Sequence, residues 1–366
     1  MLGGDAAVSV APEDPGYFNY TDYEHNTLRE IRIGLTASVR ASSRLAFLGE
    51  LRTENFNRVS PFALYARVRP FAARRLDIQI GRIPPTFGAF TRRAYGNDNP
   101  LIGYPLAYQY LTSLRADAVP ASADDLLRMR GRGWSTSFGV GNPVPSGGLP
   151  LVTAFSWDTG VQVSTGWRAV DVTGAVTNGS ASNPRVSDDN AGKQIALRVA
   201  VTPATGLVLG SSFSRGAFLS RRVLNALPST RNESQFVQRA HGLDAEYSRD
   251  HWLLRADAVF SQWQLPEFSS PLTHGRLKAL AGSVEGRYTF LPGAYAAARV
   301  ERLTFNRIGG SAHITTWDAP VSRVEVGGGY YLQRNLVARL SFQHNTRDGG
   351  RVTRDGLMAA QLLFWF

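Results

Sequence analysis

The chain has 366 residues, a formal net charge of +11 and no cysteine, which excludes disulfide and thiol chemistry. Of its 40 basic residues only Lys193 and Lys278 are lysines; the arginines are spread through alternating segments, and no nucleic-acid-binding motif or basic cluster is present. Mean hydropathy is slightly negative, and no run approaches the roughly 18 apolar residues of a membrane helix.

In chain order, Met1-Leu2-Gly3-Gly4-Asp5 lacks the basic start and apolar core of an export signal, so a mature or recombinant form is expected. Residues 1–16 are expected to be a periplasmic segment, with a first short strand through Tyr17–Tyr23. Strands follow at about 28–40, 44–56, 61–70 and 74–83, with turns at Ala41–Arg44 and Pro70–Arg74. After a long interruption at 84–157 come about 158–167, 168–178, 192–201 and 206–215. The rest lie at about 237–249, 251–263, 277–290, 294–305, 322–332, 336–346 and 355–366. Tight links such as Leu291-Pro292-Gly293 and Gln333-Arg334-Asn335 alternate with longer ones.

Each strand alternates in character. One face carries Arg32, Arg40, Glu50, Arg52, Glu54, Arg67, Arg69, Arg198, Asp244, Glu246, Arg255 and Asp257, then Glu285, Arg287, Arg299, Glu301, Arg323, Glu325 and Arg339. The other is apolar, with Trp252, Phe260, Tyr288, Phe290, Tyr330, Phe364 and Phe366 as candidate girdle aromatics. A charge facing lipid at mid-membrane costs about 2–4 kcal/mol, so the charged face must meet water or its own ion pairs. The pattern predicts an all-β, closed antiparallel transmembrane β-barrel of about 16 strands, one domain over 1–366, with short periplasmic turns and long outer loops.

The last stretch, Gly356 to Phe366, puts Met358, Ala360, Leu362, Phe364 and Phe366 on one face. It resembles the terminal strand of bacterial outer-membrane β-barrels, which closes the barrel and is read by the assembly machinery. That implies an outer-membrane location, membrane lipids as surroundings and Phe366 as the assembly signal.

Segment 84–157 is too long for an idle connection and too apolar at Leu101–Leu111 for disorder. Within it Ser122 is placed to cap a short helix. The segment is expected to fold into the lumen and narrow it, or to cap it from outside. Its Arg92, Arg93, Arg115, Arg128 and Arg130 are the candidate constriction, opposed by wall residues Arg32, Arg67, Arg69 and Arg339. Tyr104, Tyr108 and Tyr110 are candidates for stacking on a solute or for packing the segment against the wall.

Gly81-Arg82-Ile83-Pro84-Pro85-Thr86-Phe87-Gly88 resembles the Gly-Arg…Pro-Phe-Gly stretch of the phosphate-selective porin O and P family. Trp157–Ser164 is similar to that family's Asp-x-Gly-Val strand opening, and Ala175–Gly179 to its strand end. The resemblance implies a sixteen-stranded porin and a homotrimer.

Such a barrel is expected to pass small hydrophilic solutes passively, with a preference for anions, and to need no cofactor, metal or catalytic residue. The alternatives are a non-conducting docking barrel for another envelope protein and an outer-membrane hydrolase. The six histidines are scattered and no Gly-x-Ser-x-Gly elbow appears, which disfavours the hydrolase.

Overall fold

The computed structural model describes residues 1–21, 24–71, 75–187, 192–226, 235–266 and 276–366, with Arg92 described in its backbone alone. Sixteen antiparallel strands close into one barrel. They are β1 Leu2–Val10, β2 Ile31–Arg40, β3 Leu45–Glu54, β4 Ser60–Val68, β5 Leu76–Ile83, β6 Asp158–Trp167, β7 Val170–Thr177 and β8 Gln194–Ala204. The second half is β9 Leu207–Ala217, β10 Val237–Arg249, β11 Trp252–Gln264, β12 Arg276–Leu291, β13 Ala294–Phe305, β14 Val321–Gln333, β15 Leu336–Arg347 and β16 Arg354–Trp365. Closure satisfies every sheet edge, which the bilayer interior demands because it supplies no hydrogen-bond partners.

The first strand corrects the sequence reading. Tyr17–Tyr20 is not barrel strand, Tyr23 lies outside the described residues, and 1–16 is not simply a periplasmic segment. Leu2–Val10 is the closing strand: Ala6 pairs with Ile33 of β2 on one side and Phe364 of β16 on the other. Phe366 and Gly4 exchange backbone hydrogen bonds at 3.0 and 3.1 Å. Gly3, Gly4, Ala6 and Ala7 weaken the alternating signal in β1. Its period-two pattern survives, with Asp5, Ala7 and Ser9 buried on the lumen side and Val8 and Val10 exposed outside.

The expected alternation holds around the wall. Leu35, Leu64, Ile80, Leu243, Val284, Val300, Leu340 and Met358 are exposed on the outer face. Arg198, Glu285, Arg299, Glu301, Arg323, Glu325 and Arg339 are buried on the inner one. Trp252 and Tyr288 stack at 4.6 Å near one rim, and Phe364 and Phe366 at 6.1 Å. A closed antiparallel cylinder with an apolar exterior and charged interior is the architecture of an outer-membrane β-barrel.

Candidate functional site: the loop-lined interior

Inner-face residues of neighbouring strands fall into one cross-strand row. Glu246 is opposite Arg255, Arg255 opposite Glu285, Glu285 opposite Arg299, Arg299 opposite Glu325 and Glu325 opposite Gln343. Charge alternates along the row, so each group meets an opposite one across the strand. Arg255 reaches Glu246 at 2.9 Å and Glu285 at 3.4 Å. Arg299 reaches Glu285 at 3.1 Å, Glu301 at 3.2 Å and Glu325 at 2.7 Å. Buried charges persist only when paired, and Arg255 and Arg299 each meet at least two carboxylates of this mesh, the Arg299–Glu301 contact being an ion pair without a hydrogen bond.

The segment 84–157 is bonded to the mesh. Gly103 donates its N–H to Glu325 at 2.9 Å and accepts from Arg299 at 2.7 Å. A Cβ at Gly103 would sit 2.0 Å from Gln343 Nε2 and 2.6 Å from Glu325 Oε2, so a side chain here would displace these two side-chain ends. Leu106 N–H donates to Glu301 at 2.7 Å, at the start of α1 (Leu106–Gln109). Arg323 donates to the carbonyls of Tyr104 at 3.1 Å and Phe18 at 2.8 Å. The base of the segment is tied by Gln162, which donates to Pro84 O and Thr86 Oγ1, and by Ser212, which accepts from Gly88 N–H.

The predicted constriction residues separate. Arg93 stands in an inner cavity beside Phe90, Arg198, Asp244, Glu246 and Arg255, and pairs with Glu246 at 2.5 Å. Arg92's side chain lies outside the described residues. Arg115 is fully buried within the segment's own fold, where it donates to both oxygens of Asp117 at 2.9 Å and to Thr136 O at 2.8 Å. Arg128 is exposed and pairs with Asp125 one turn back, in α2 (Ala123–Arg128), whose predicted cap Ser122 accepts from Asp125 N–H at 3.1 Å. Arg130 bonds Thr316 and pairs with Asp348 at 3.0 Å, tying the segment to two other outer loops. Arg115, Arg128 and Arg130 therefore do not join Arg93 in that cavity. The acids that capture Arg115 and Arg128 lie two and three residues away in sequence, which makes local pairing entropically cheap.

Of the wall residues, Arg32 donates to Tyr104 Oη at 2.7 Å and pairs with Asp5 at 3.2 Å. Arg339 donates to Gly96 O at 2.7 Å and Tyr295 Oη at 3.0 Å. Both hold the segment. Arg67 and Arg69 share Asp77 at 2.5 and 3.0 Å near the opposite end of the barrel and do not meet it.

The three tyrosines pack rather than present open faces. Tyr104 lies edge-on to Phe90 and Phe155. Tyr108 donates to Asp257 at 2.7 Å, and Tyr110 accepts from Arg347 at 3.3 Å. All three are buried, and burial pushes the Tyr110 hydroxyl up to about 12. Residues 103, 106, 198, 244 and 246 complete the site. The alternating inner face marked the last three, but register alone shows that Glu246, Arg255, Glu285 and Arg299 touch. Among the described residues no group of three His, Asp or Glu is placed to hold a metal ion.

The fold is that of outer-membrane porins. OmpT of Vibrio cholerae aligns over 100% of this chain and 97% of its own, with a TM-score of 0.60 and 11% identity. An anion-selective porin from Comamonas acidovorans aligns over 100% and 99%, with a TM-score of 0.59 and 10% identity. The channel DcaP of Acinetobacter baumannii aligns over 100% and 96%, with a TM-score of 0.57 and 10% identity. No protein-family model and no curated protein matches the chain.

Proposed function

We propose that this barrel is a porin, passing small hydrophilic solutes by diffusion without catalysis, past a narrowing formed by segment 84–157 and the wall of β8–β13. The observation that carries this reading is the inner cavity at Arg93, where the segment faces the charged side chains of Arg198, Glu246 and Arg255. The similarity to porins, one of them titled anion-selective, supports it.

The finer reading is a modest anion preference. Arginines within the mesh are paired, which weakens their field. Arg40, Arg67, Arg69 and Arg75, toward the periplasmic end, outnumber the inner-face acids of that region, Asp77 and Asp171. A mouth with excess positive charge concentrates anions. Phosphate belongs among the anions to assay, on the short resemblance to the O and P porins. The outer faces of β1–β4 carry no Lys or Arg, and we assign that sector to a homotrimer contact, with Phe366 as the signal for barrel assembly.

Planar-bilayer conductance with reversal potentials in asymmetric salt tests the proposal. Open steps with anions more permeant than cations are expected. Cation selectivity overturns the anion preference. Absence of any conductance overturns the porin and favours a docking barrel, a reading supported by the near-complete burial of Leu101–Leu114.

A further inference from the structure

Three outer stretches of chain, around residues 17, 132 and 350, meet at one point of the cap. Arg347 ties two of them, donating to Gly16 O at 3.1 Å and to Gly349 O at 3.0 Å, with its guanidinium 4.9 Å from the centre of the Phe18 ring. The third joins through Gly131 and Gly350, whose backbones touch: a Cβ on Gly131 would fall 2.9 Å from Gly350 N. Both glycines hold positive φ, +71° and +80°, which costs a residue without a side chain nothing.

Tyr17 also lies in the left-handed region, at φ +54°. That conformation is uncommon for a residue with a side chain, and more so for a bulky one. Its neighbour Phe18 is fully buried, whereas Tyr17 is 38% exposed. The Tyr17 ring stacks on Trp134 with centroids 4.8 Å apart and 10° between planes. Tyr20 completes the group, 5.2 Å from Tyr17 and 4.5 Å from Trp134. A ring that only sealed the cap would be enclosed, as Phe18 is. Instead a strained backbone keeps an aromatic surface in contact with the outer medium, and strain of this kind gathers at ligand sites.

Charge is arranged around these rings. Arg132 and Arg351 directly follow the two touching glycines, both are exposed, and neither has an acidic partner among the described residues. Neighbouring acids are engaged elsewhere: Asp348 pairs with Arg130, and Asp14 accepts from the N–H groups of Phe18 and Asn19. Glu13 is exposed in the neighbourhood of Tyr20.

We propose that this junction binds an acidic saccharide from the outer medium. A pyranose ring lies against Tyr17 and Trp134, its carboxylates meet Arg132 and Arg351, and its hydroxyls donate to Glu13. Tyrosine and tryptophan offer a rigid apolar body with a polar tip, which suits a ring that is C–H on its face and hydroxyl at its rim. Guanidinium forks match carboxylates. A neutral sugar would use the rings and leave the arginines idle; an acid without a sugar ring would do the reverse. The site shares no residue with the Arg93 cavity. Delivery of the captured solute to the lumen rests on the porin reading, whereas binding itself does not.

The test is ligand-observed NMR titration of the folded barrel in detergent at pH 7, with trigalacturonate, its neutral counterpart galactotriose, and tricarballylate as a trianion lacking a sugar ring. The wild type is expected to bind trigalacturonate at least about tenfold more tightly than either of the others. Arg132→Gln with Arg351→Gln is expected to erase the advantage over galactotriose. Tyr17→Gly, which fits the positive φ and removes only the ring, is expected to erase the advantage over tricarballylate, and Tyr17→Phe to keep it. Arg128→Gln, elsewhere on the cap, is the charge-matched control and retains full binding. Equal binding of the three ligands by the wild type overturns the proposal. So does undiminished discrimination in the double arginine variant or in Tyr17→Gly, with protease resistance of residues 112–148 showing the cap intact. The readout involves no current, so a barrel that binds trigalacturonate without conducting keeps this site and loses the porin reading.

Discussion

Arg299 and Glu325 face each other across β13 and β14 at 2.7 Å, and both hold the same residue, Gly103, one through its carbonyl and the other through its N–H. One wall ion pair thereby fixes the backbone of the long segment at a point more than 190 residues away in sequence.

Arg299→Ala leaves Glu285, Glu301 and Glu325 buried with their shared partner gone. Removal of one member of a buried ionic cluster costs about 3–5 kcal/mol. A lower unfolding temperature in detergent and larger or noisier single-channel steps are expected. An unchanged thermal transition would show that the mesh contributes nothing to holding the segment.

Gly103→Ala tests the close approach without touching charge. The added carbon falls on Gln343 Nε2 and within 2.6 Å of Glu325, so the Glu325 carboxylate is displaced from its bond to the Gly103 N–H and the segment loosens from the wall. Protease susceptibility within 84–157 is expected to rise while the barrel retains its heat-modifiable mobility.

Arg93→Ala is expected to lower the anion-to-cation permeability ratio measured from reversal potentials, because Arg93 stands in the inner cavity with Glu246. Arg128→Ala is expected to leave that ratio unchanged, since Arg128 is exposed and paired within α2. The reverse pattern would move the selective region to the outer cap.

Tyr108→Phe removes the donor to Asp257. An acceptor left unsatisfied in a buried site costs about 1–3 kcal/mol, read as a drop in thermal stability. Equal stability would show that water replaces the hydroxyl.

The outer cap is expected to loosen in acid through Asp117. Burial acts to raise this carboxyl, but hydrogen bonds from Arg115 and Asn142 outweigh it and hold it below the usual carboxylate range. With the folded value depressed, its stabilisation is complete above the unfolded value of about 3.9 and is lost as pH falls through the folded one. Hydrogen exchange in residues 112–148, corrected for intrinsic rate, is expected to accelerate below about pH 4. Asp117→Asn is expected to abolish that step.

The sequence carried the strands from β2 to β16 because a one-residue change of face is costly in a wall with lipid on one side. It failed at β1, whose glycines and alanines leave little apolar contrast, and whose strand character comes from the two edges it closes. The tyrosines and arginines of the long segment were legible as residues of consequence but not as to their roles. Arg93 and Arg115 have the same chemistry; one lies in the inner cavity and the other is enclosed beside Asp117.

Alternation by itself determined the architecture, a cylinder apolar outside and charged inside, since side-chain direction along a strand is a local property of the backbone. Which charges neutralise each other and which arginines of the long segment line the interior were decided only by tertiary structure. Those depend on the register between strands and on a segment returning across the lumen, and neither is encoded in the period of any single strand.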